Sequence, residues 1–242
     1  MALQLKSQMT LNEKIALVTG GTGALGSAIA ESLASQGAHV TATFHREQRP
    51  EAVAGSLRKN VKLVKTDVTN EKEVGGLYDS ILSASGRIDI VVNAVGGFLP
   101  RKPLTEVSLH DWDLMMNINL KSTFLSTREA LRRMSGQAYG RIINISAMAG
   151  LSPSPGRIPY AISKAGVSLL TDLAAQEVKG TGITVNAIAP SIIASPSNIE
   201  SMPNEDTSQW VTPGEIAELV CYLCSSSAGR VTGTTIKAYG GV

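Results

Sequence analysis

Short runs of apolar, β-branched residues recur along the chain and alternate with longer stretches of helical character. The runs are apolar at consecutive positions rather than at every second position, which is typical of strands buried on both faces of a parallel sheet. We predict strands at Ile15–Thr19, Val40–Phe44, Val61–Lys65, Ile88–Asn93, Arg141–Ser146, Thr184–Ala189 and Thr235–Ala238. We predict helices at Ser27–Gln36, Lys72–Ala84, Trp112–Met134, Tyr160–Lys179 and Pro213–Ser225. The alternation predicts an α/β fold, a doubly wound parallel sheet of seven strands with helices on both faces.

No repeat, low-complexity tract or linker divides the chain, so we expect a single domain over residues 1–242. The longest irregular segment is the Pro- and Ser-rich stretch 191–212, which we interpret as a mobile substrate loop rather than a domain boundary. Ligands of a doubly wound sheet bind beyond the carboxyl ends of its strands. We therefore expect substrate contacts from three segments near that edge: Gly97–Pro103, Gly150–Pro159 and Ser191–Gln209.

The composition argues against several classes of protein. Lys and Arg total 22 against 20 for Asp and Glu, so the net charge of +2 provides no basic field for nucleic acid. The chain shows neither a secretory apolar region nor an uninterrupted apolar run of about 18 residues, so we expect no membrane span and a cytoplasmic location. Cys221 and Cys224 lack a second ligand pair, and the histidines are scattered, so we expect packing cysteines and no metal site.

The first predicted strand runs directly into a glycine-rich turn, Thr19–Gly26, and a helix follows at once. Glycines permit a tight turn and let backbone N–H groups approach a pyrophosphate, while the helix N-terminus adds partial positive charge. No Lys-Ser or Lys-Thr pair follows the glycines, which argues against a P-loop. The turn therefore predicts a Rossmann-type dinucleotide site with contacts from Gly20, Thr22, Gly23, Leu25 and Gly26.

The end of the second predicted strand bears on which dinucleotide binds. An Asp or Glu at this place usually holds the ribose hydroxyls of NAD. Here Phe44 or His45 occupies it, and Arg46 follows, whose guanidinium suits the 2′-phosphate of NADP. Glu47 keeps NAD open, because a shift of one or two residues would bring its carboxylate to the ribose. We favour NADP(H) over NAD(H), with contacts from His45 and Arg46.

Tyr160 and Lys164 are four residues apart, so they lie one turn apart on one face of a predicted helix. A phenol with a pKa of about 10 is a poor acid–base catalyst at neutral pH, and a neighbouring ammonium stabilises its phenolate. With this pair and the glycine turn, the chain resembles the short-chain dehydrogenase/reductase (SDR) family, most closely its 3-oxoacyl-carrier-protein-reductase-like branch. The resemblance runs essentially from end to end.

The resemblance implies an NAD(P)-dependent oxidoreductase acting on a small carbonyl, imine or quinonoid substrate. It implies that Tyr160 donates a proton to the substrate oxygen, that Lys164 lowers the pKa of Tyr160 and binds the nicotinamide ribose, and that Asn119 holds a water near the lysine. Further cofactor contacts implied by the resemblance follow the later strands: Asp67, Val68, Asn93, Ala94, Gly96 and Pro190.

The chain departs from the family pattern at the catalytic serine, whose position is occupied by Ala147. The neighbouring Ser146 is expected to face away from the site, because consecutive strand residues point to opposite faces unless a bulge intervenes. Losing one such hydrogen-bond donor typically lowers the rate by about 10²–10³-fold. Three interpretations stay open. The substrate does not need the donor, as in the quinonoid dihydropteridine reductases, which also lack the serine; Ser146, Ser152 or Ser154 replaces it; or the protein is a catalytically weak NAD(P)-binding scaffold or sensor.

Two further features bear on partners. The loop cations Arg101, Lys102 and Arg157 either contact an anionic substrate or simply face water. The predicted helices Trp112–Met134 and Tyr160–Lys179 carry apolar residues on more than one side, which indicates a subunit contact. Members of the family usually form tetramers through these two helices, so the resemblance implies a homotetramer or at least a homodimer.

Overall fold

The structure, a computed structural model, describes residues 10–45 and 61–241. Its centre is one seven-stranded parallel sheet in the order β3-β2-β1-β4-β5-β6-β7. The strands are β1 (Ile15–Thr19), β2 (His39–Phe44), β3 (Val61–Lys65), β4 (Ile90–Asn93), β5 (Gly140–Ile145), β6 (Ile183–Pro190) and β7 (Thr235–Ala238). The predicted doubly wound α/β sheet and its seven strands are confirmed.

Helices follow most of the strands. They are α1 (Ala24–Ser35), α2 (Glu71–Ser85), α3 (Leu109–Met115), α4 (Ser122–Met134), α5 (Met148–Leu151), α6 (Ile158–Glu177), α7 (Pro196–Ser201) and α8 (Pro213–Cys224). Short 3₁₀ turns occur at Leu104–Glu106, Thr207–Gln209 and Ser226–Ala228. The predicted elements are present, with most of their ends shifted by a few residues, as expected where helix ends depend on capping contacts.

The sheet is covered on both faces, as its continuously apolar strands predict. Along β1, Ala16 and Val18 pack against α1 and α8, whereas Leu17 between them packs on the opposite side. That opposite face is covered by α2, α4 and α6, with Tyr78 among the side chains buried there. The two apolar cores hold the strands rigidly, so the carboxyl ends of the strands form a fixed edge.

The helix predicted at Trp112–Met134 differs from the observed one in two ways. It begins earlier, at Leu109, because Ser108 and Asp111 form a capping box at its start. It also contains a π-helical turn, Met116–Lys121, between α3 and α4. One extra residue per turn rotates the helix face locally, and Asn119 within this turn is completely buried.

The segment 191–212 is less irregular than the sequence indicates. Ser195 caps α7 through its hydroxyl, which accepts from the N–H of Asn198 at 3.3 Å. Ile193 and Val211 form an isolated parallel β-bridge, which joins the two ends of the segment. Proline and serine therefore start a helix here rather than only breaking structure.

Gly76 provides a test of the helical interior. It lies within α2, and a Cβ added there meets nothing within 4 Å. We expect Gly76→Ala to raise the free energy of unfolding by about 1 kcal/mol, since alanine has the higher helix propensity. Gly26→Ala in α1 is the matched control, because its Cβ would overlap the backbone carbonyl of Gly20, which cannot move aside as the end of a side chain can. Urea denaturation should show changes in the free energy of unfolding that are opposite in sign for the two variants. Changes of equal sign would contradict this account.

Candidate active site

The candidate site lies at the carboxyl edge of the sheet, where β1 is flanked by β2 on one side and β4 on the other. The chain proceeds outward from β1 to β2 and β3, and then returns to β4 on the opposite side. Connections that leave neighbouring strands in opposite directions open a crevice between them. The glycine turn after β1 therefore borders the one place where such a sheet usually binds its ligand.

The glycine turn has a shape that fits a dinucleotide pyrophosphate. Gly20 has a positive φ of 74° and donates its N–H to Thr43 Oγ1 at 3.1 Å, which ties the turn to β2. A Cβ on Gly26 would overlap the carbonyl oxygen of Gly20, so only glycine lets α1 pack this closely. Gly23 precedes α1 without a side-chain cap. The first N–H groups of a helix have no intrahelical acceptor, and here they are left for an anion.

The residues expected at the adenosine end follow β2 and β3. Asp67 Oδ1 accepts from the N–H of Thr69 at 2.9 Å and from its hydroxyl at 2.6 Å. The hydroxyl bond is the main reason that the pKa of Asp67 is lowered, and the nearby His45 contributes to the same shift. Val68 is buried. The structure thus brings His45 and Asp67 together at one edge, whereas Arg46 lies outside the described residues.

Asn93 is predicted as a cofactor contact, but its side chain turns into the protein. Its amide Nδ2 donates to Asn144 Oδ1 at 2.8 Å and to Thr127 Oγ1 at 3.2 Å. These bonds brace β4 against β5 and α4, so the amide does not reach the sheet edge. Ala94 lies at that edge, and its N–H donates to Thr19 Oγ1 at 3.2 Å.

Lys164 lies one turn after Tyr160 in α6 and directs its ammonium inward. Its Nζ donates to the carbonyl of Ile145, the last residue of β5, at 2.9 Å. A Cβ on Gly96 would lie 3.0 Å from this Nζ and 3.1 Å from Asn119 Oδ1. Glycine at position 96 therefore lets the loop after β4 approach both polar groups.

Asn119 links the loop after β4 to α6, the helix that carries Tyr160. Its Oδ1 accepts from the N–H of Gly97 at 2.9 Å, and its Nδ2 donates to the Gly97 carbonyl at 3.0 Å and to Ser163 Oγ at 3.0 Å. Ser163 was missed by the sequence analysis, although its place three residues after Tyr160 on the same helix face is a signal. The structure thus brings Lys164, Asn119 and Gly96 together, one helical turn from Tyr160.

The two ionisable groups of the helix respond to burial in opposite directions. Burial lowers the pKa of Lys164 to about 8, because the charged ammonium loses its hydration. Burial raises the pKa of Tyr160, and the positive charge of Arg157 opposes that increase. The resemblance implies that Lys164 lowers the pKa of Tyr160. In the structure the charge that opposes the increase is that of Arg157, and Lys164 directs its Nζ at the carbonyl of Ile145.

Ser146 is predicted as a doubtful catalytic residue, and its hydroxyl is engaged elsewhere. Its Oγ donates to the carbonyl of Lys164 at 2.9 Å and lies 2.9 Å from Ser168 Oγ. These contacts hold β5 against α6 and direct the hydroxyl along the helix rather than toward Tyr160. Ala147, the first residue after Ser146, is buried and has no hydroxyl to offer.

Pro190 ends β6, and Ser191 after it donates its hydroxyl to the carbonyl of Tyr239 at 2.8 Å, which fixes this end beside β7.

Cys221 and Cys224 are buried in α8, and burial raises the pKa of both thiols. Among the described residues no group of three or more His, Cys, Asp or Glu side chains is placed to hold a metal. In the same ranges, no helix has the length and apolar content to cross a membrane.

Comparisons with known proteins identify the family of the chain. Residues 14–206 match the family model of the short chain dehydrogenases. The chain is 34% identical over 249 residues to the 3-oxoacyl-[acyl-carrier-protein] reductase FabG of Aquifex aeolicus (strain VF5), covering 97% of this chain and 99% of the relative. The crystal structure of gox2181 superposes with a TM-score of 0.91 at 28% identity over 98% of both chains. The structure of ElxO with NADP bound superposes with a TM-score of 0.88 at 30% identity, over 95% of this chain and 98% of ElxO.

The fold and the site define a nicotinamide-dependent oxidoreductase that acts on small molecules. The chain belongs to the short-chain dehydrogenase family, and it resembles the 3-oxoacyl-carrier-protein reductases within that family, as the sequence predicts.

Lys164 allows a test of what its burial costs. The folded protein releases this proton near pH 8, whereas an unfolded lysine keeps it until about pH 10.5. The unfolded chain therefore binds more protons between these values, and stability rises with pH across that window. We expect Lys164→Met to raise the free energy of unfolding of the cofactor-free protein at pH 7 by about 1–3 kcal/mol. This increase in the free energy of unfolding should shrink toward about pH 9.5, because Lys164 of the wild type loses its charge.

Urea denaturation at both pH values measures this difference. The exposed lysine of α2, Lys72, supplies the control variant Lys72→Met, whose effect should be small and independent of pH. A Lys164→Met protein that is less stable than the wild type at both pH values would show that the bond to Ile145 outweighs the cost of burying the charge.

Proposed function

We propose that this enzyme is an NADP(H)-dependent short-chain oxidoreductase that reduces a small carbonyl, imine or quinonoid substrate, with Tyr160 as the general acid. One observation carries the proposal: Lys164 and Asn119 converge on Gly96 one helical turn from Tyr160, beside the glycine turn after β1. The cytoplasmic location expected from the sequence remains part of this proposal.

Each residue has a role that follows from its contacts. The nicotinamide cofactor, when bound, supplies the hydride. Tyr160 donates a proton to the substrate oxygen, and because burial raises its pKa, the phenol holds that proton at neutral pH. A protonated phenol is the form that a general acid needs when the substrate is reduced. Lys164 binds the nicotinamide ribose, and Asn119 holds the loop at Gly97 in place and supports the proton supply.

We propose NADP(H) rather than NAD(H), on three grounds. No acidic side chain directly follows β2, where His45 is exposed at the sheet edge. Asp67 is bonded to Thr69, so its carboxylate is partly occupied within its own turn. The NADP-bound ElxO structure shows that a chain 30% identical to this one takes that cofactor. Arg46 is proposed as the residue that binds the 2′-phosphate. The other proposed cofactor contacts are those predicted from the sequence: Gly20, Thr22, Gly23, Leu25, Gly26, Val68, Ala94, Gly96 and Pro190.

A second candidate function is a catalytically weak NAD(P)-binding scaffold or sensor of the same fold. It is favoured by one observation: position 147 offers no hydroxyl, and the hydroxyl of Ser146 is bonded to Lys164 and Ser168. A substrate oxygen beside Tyr160 would then lack one of its usual donors. Such a loss lowers carbonyl chemistry without affecting cofactor binding.

Ala147→Ser distinguishes the two candidates. We expect the variant to consume NADPH with an acetoacetyl thioester at least about tenfold faster than the wild type, because the added hydroxyl stabilises the developing oxyanion. With a quinonoid dihydropterin we expect a change below about twofold, since that substrate does not need the donor. Tyr160→Phe should lose about 10²-fold or more on either substrate.

Two outcomes separate the interpretations of Ala147. A wild type that is already fast on the thioester, with no gain from serine, would mean that another group fills the role. A wild type that binds NADPH but consumes none with any substrate would favour the scaffold. Replacing NADPH by NADH in the same assay tests the cofactor preference, and faster consumption of NADH would overturn it.

We also propose that two copies of this chain pair through α4 and α6. Ile162, Leu169 and Leu173 share one face of α6 and are 43%, 60% and 51% exposed, and Phe124 of α4 is 42% exposed. Apolar side chains repeated along one helix face indicate a surface that a partner covers. A homotetramer, or at least a homodimer, is the expected assembly.

A double variant tests this pairing. We expect Leu169→Glu with Leu173→Glu to shift the protein to monomers in sedimentation velocity at micromolar concentration, because buried carboxylates would oppose association. Tyr222→Glu is the matched control, since Tyr222 is 41% exposed on α8, on the opposite face of the sheet. A wild type that sediments as a monomer would contradict the proposal.

A further inference from the structure

The loop cations near Tyr160 differ in whether another group already neutralises them. Lys102 Nζ lies 2.8 Å from Asp111 Oδ2, and this bond is the main reason that the pKa of Asp111 is lowered. Arg101 is exposed and donates to the carbonyl of Pro155 at 3.1 Å. Across residues 10–45 and 61–241, no hydrogen bond or ion pair joins the guanidinium of Arg157 to another residue, and its buried Nε has no acceptor.

Arg157 differs in this respect from the other arginines whose Nε is buried and unpaired. Arg128 bonds to Glu71 at 2.6 Å, Arg133 pairs with Asp79 at 2.8 Å, and Arg141 donates to the carbonyls of Gly140 and Gly182. Each of those guanidinium groups has an acceptor for its remaining N–H groups. The terminal N–H groups of Arg157 stay accessible and have no acceptor within the described residues, so they are open to an anionic ligand.

The place of Arg157 tells where such a ligand binds. Arg157 directly precedes α6 and lines a narrow cleft, open to solvent, together with Tyr160, Lys102 and Asp111. Leu99, Pro100, Val107 and Pro159 supply apolar walls. The charges of Lys102 and Asp111 cancel, so the cleft retains the single positive charge of Arg157. A molecule with one negative charge on a short apolar body matches this lining.

We propose that Arg157 binds the carboxylate of the substrate, and that the substrate is therefore an oxo acid whose ketone lies at Tyr160. This inference rests on the proposed function, because it places an anion beside the proposed acid. The planar guanidinium offers parallel N–H donors that a carboxylate accepts in pairs, whereas the apolar walls enclose the carbon chain between the two functional groups. Lys102 does not take this role, because Asp111 already occupies its ammonium.

The first experiment compares an acid with its uncharged analogue. We would measure NADPH consumption with 4-oxopentanoate and with 4-oxopentanamide, together with the shorter and longer oxo acids. We expect the wild type to favour the best acid over its amide by about tenfold or more in kcat/KM, since a charge-assisted bond is lost with the amide. Arg157→Gln should reduce kcat/KM for the acid by about 10- to 100-fold and abolish the preference.

The decisive quantity is the ratio of kcat/KM for the acid to kcat/KM for the amide. Arg157 also lowers the pKa of Tyr160, so its removal alters both substrates alike, whereas an anion anchor affects the acid alone. Arg157→Lys should restore part of the preference, because the charge returns without the paired donors. Arg101→Gln is the control, since Arg101 belongs to the same loops but is exposed; its ratio should match that of the wild type.

A binding measurement separates this inference from the proposed reaction. Pentanoate has the carboxylate and chain but no carbonyl, so calorimetry with the NADP⁺-saturated protein reports the anchor without turnover. Binding to the wild type that weakens about tenfold or more in Arg157→Gln supports the anchor. If that result comes with no NADPH consumption for any substrate, the anchor stands and the proposed reductase activity is wrong. Equal binding of pentanoate to both proteins, or no binding to either, overturns the anchor.

Discussion

The ammonium of Lys164 lies inside the protein, where it donates to the carbonyl of Ile145. This bond joins the end of β5 to the middle of α6, and the position of Tyr160 one turn earlier follows from it. A buried charge of this kind is costly, and its pKa of about 8 records that cost. The surrounding elements hold the charge in place: Gly96 allows the loop after β4 to approach, and Ser146 bonds to the backbone of the same helix.

Around this bond the polar groups fall into two sets with different tasks. One set of side chains braces the sheet by hydrogen bonds between β4, β5, α4 and α6. Its members are Asn93, Asn144, Thr127 and Thr171. Asn119 and Ser163 lie nearer the edge and tie the loop at Gly97 to the helix that carries Tyr160. Hydrogen bonds within such a network fix its geometry, although within the described residues Asn93 Oδ1 stays buried without a partner. The groups left without partners at the edge are then the ones open to ligands.

The sequence analysis predicted the strand and helix types well, because both depend on local periodicity and on glycine and capping residues. Local conformation and side-chain direction were harder to predict where they depend on contacts between residues distant in the sequence. The π-helical turn at Met116–Lys121 leaves no clear periodic signal, yet it lies where Asn119 reaches Gly97. Asn93 matches a family motif, but only the packing of β4 against β5 reveals that its amide turns inward. Segment 191–212 has loop-like composition, and a bridge between Ile193 and Val211 gives it structure.

By itself the sequence determined the class of fold, the dinucleotide turn and the presence of a Tyr-Lys pair at helical spacing, since each of these is encoded within a few consecutive residues. Tertiary structure alone decided which charges are available. The sequence does not distinguish the loop cations Arg101, Lys102 and Arg157, but folding pairs Lys102 with Asp111 and leaves the guanidinium of Arg157, beside Tyr160, without an acceptor among the described residues. The physical reason is that a charge is neutralised by whatever lies within hydrogen-bond distance, and that distance is set by the fold.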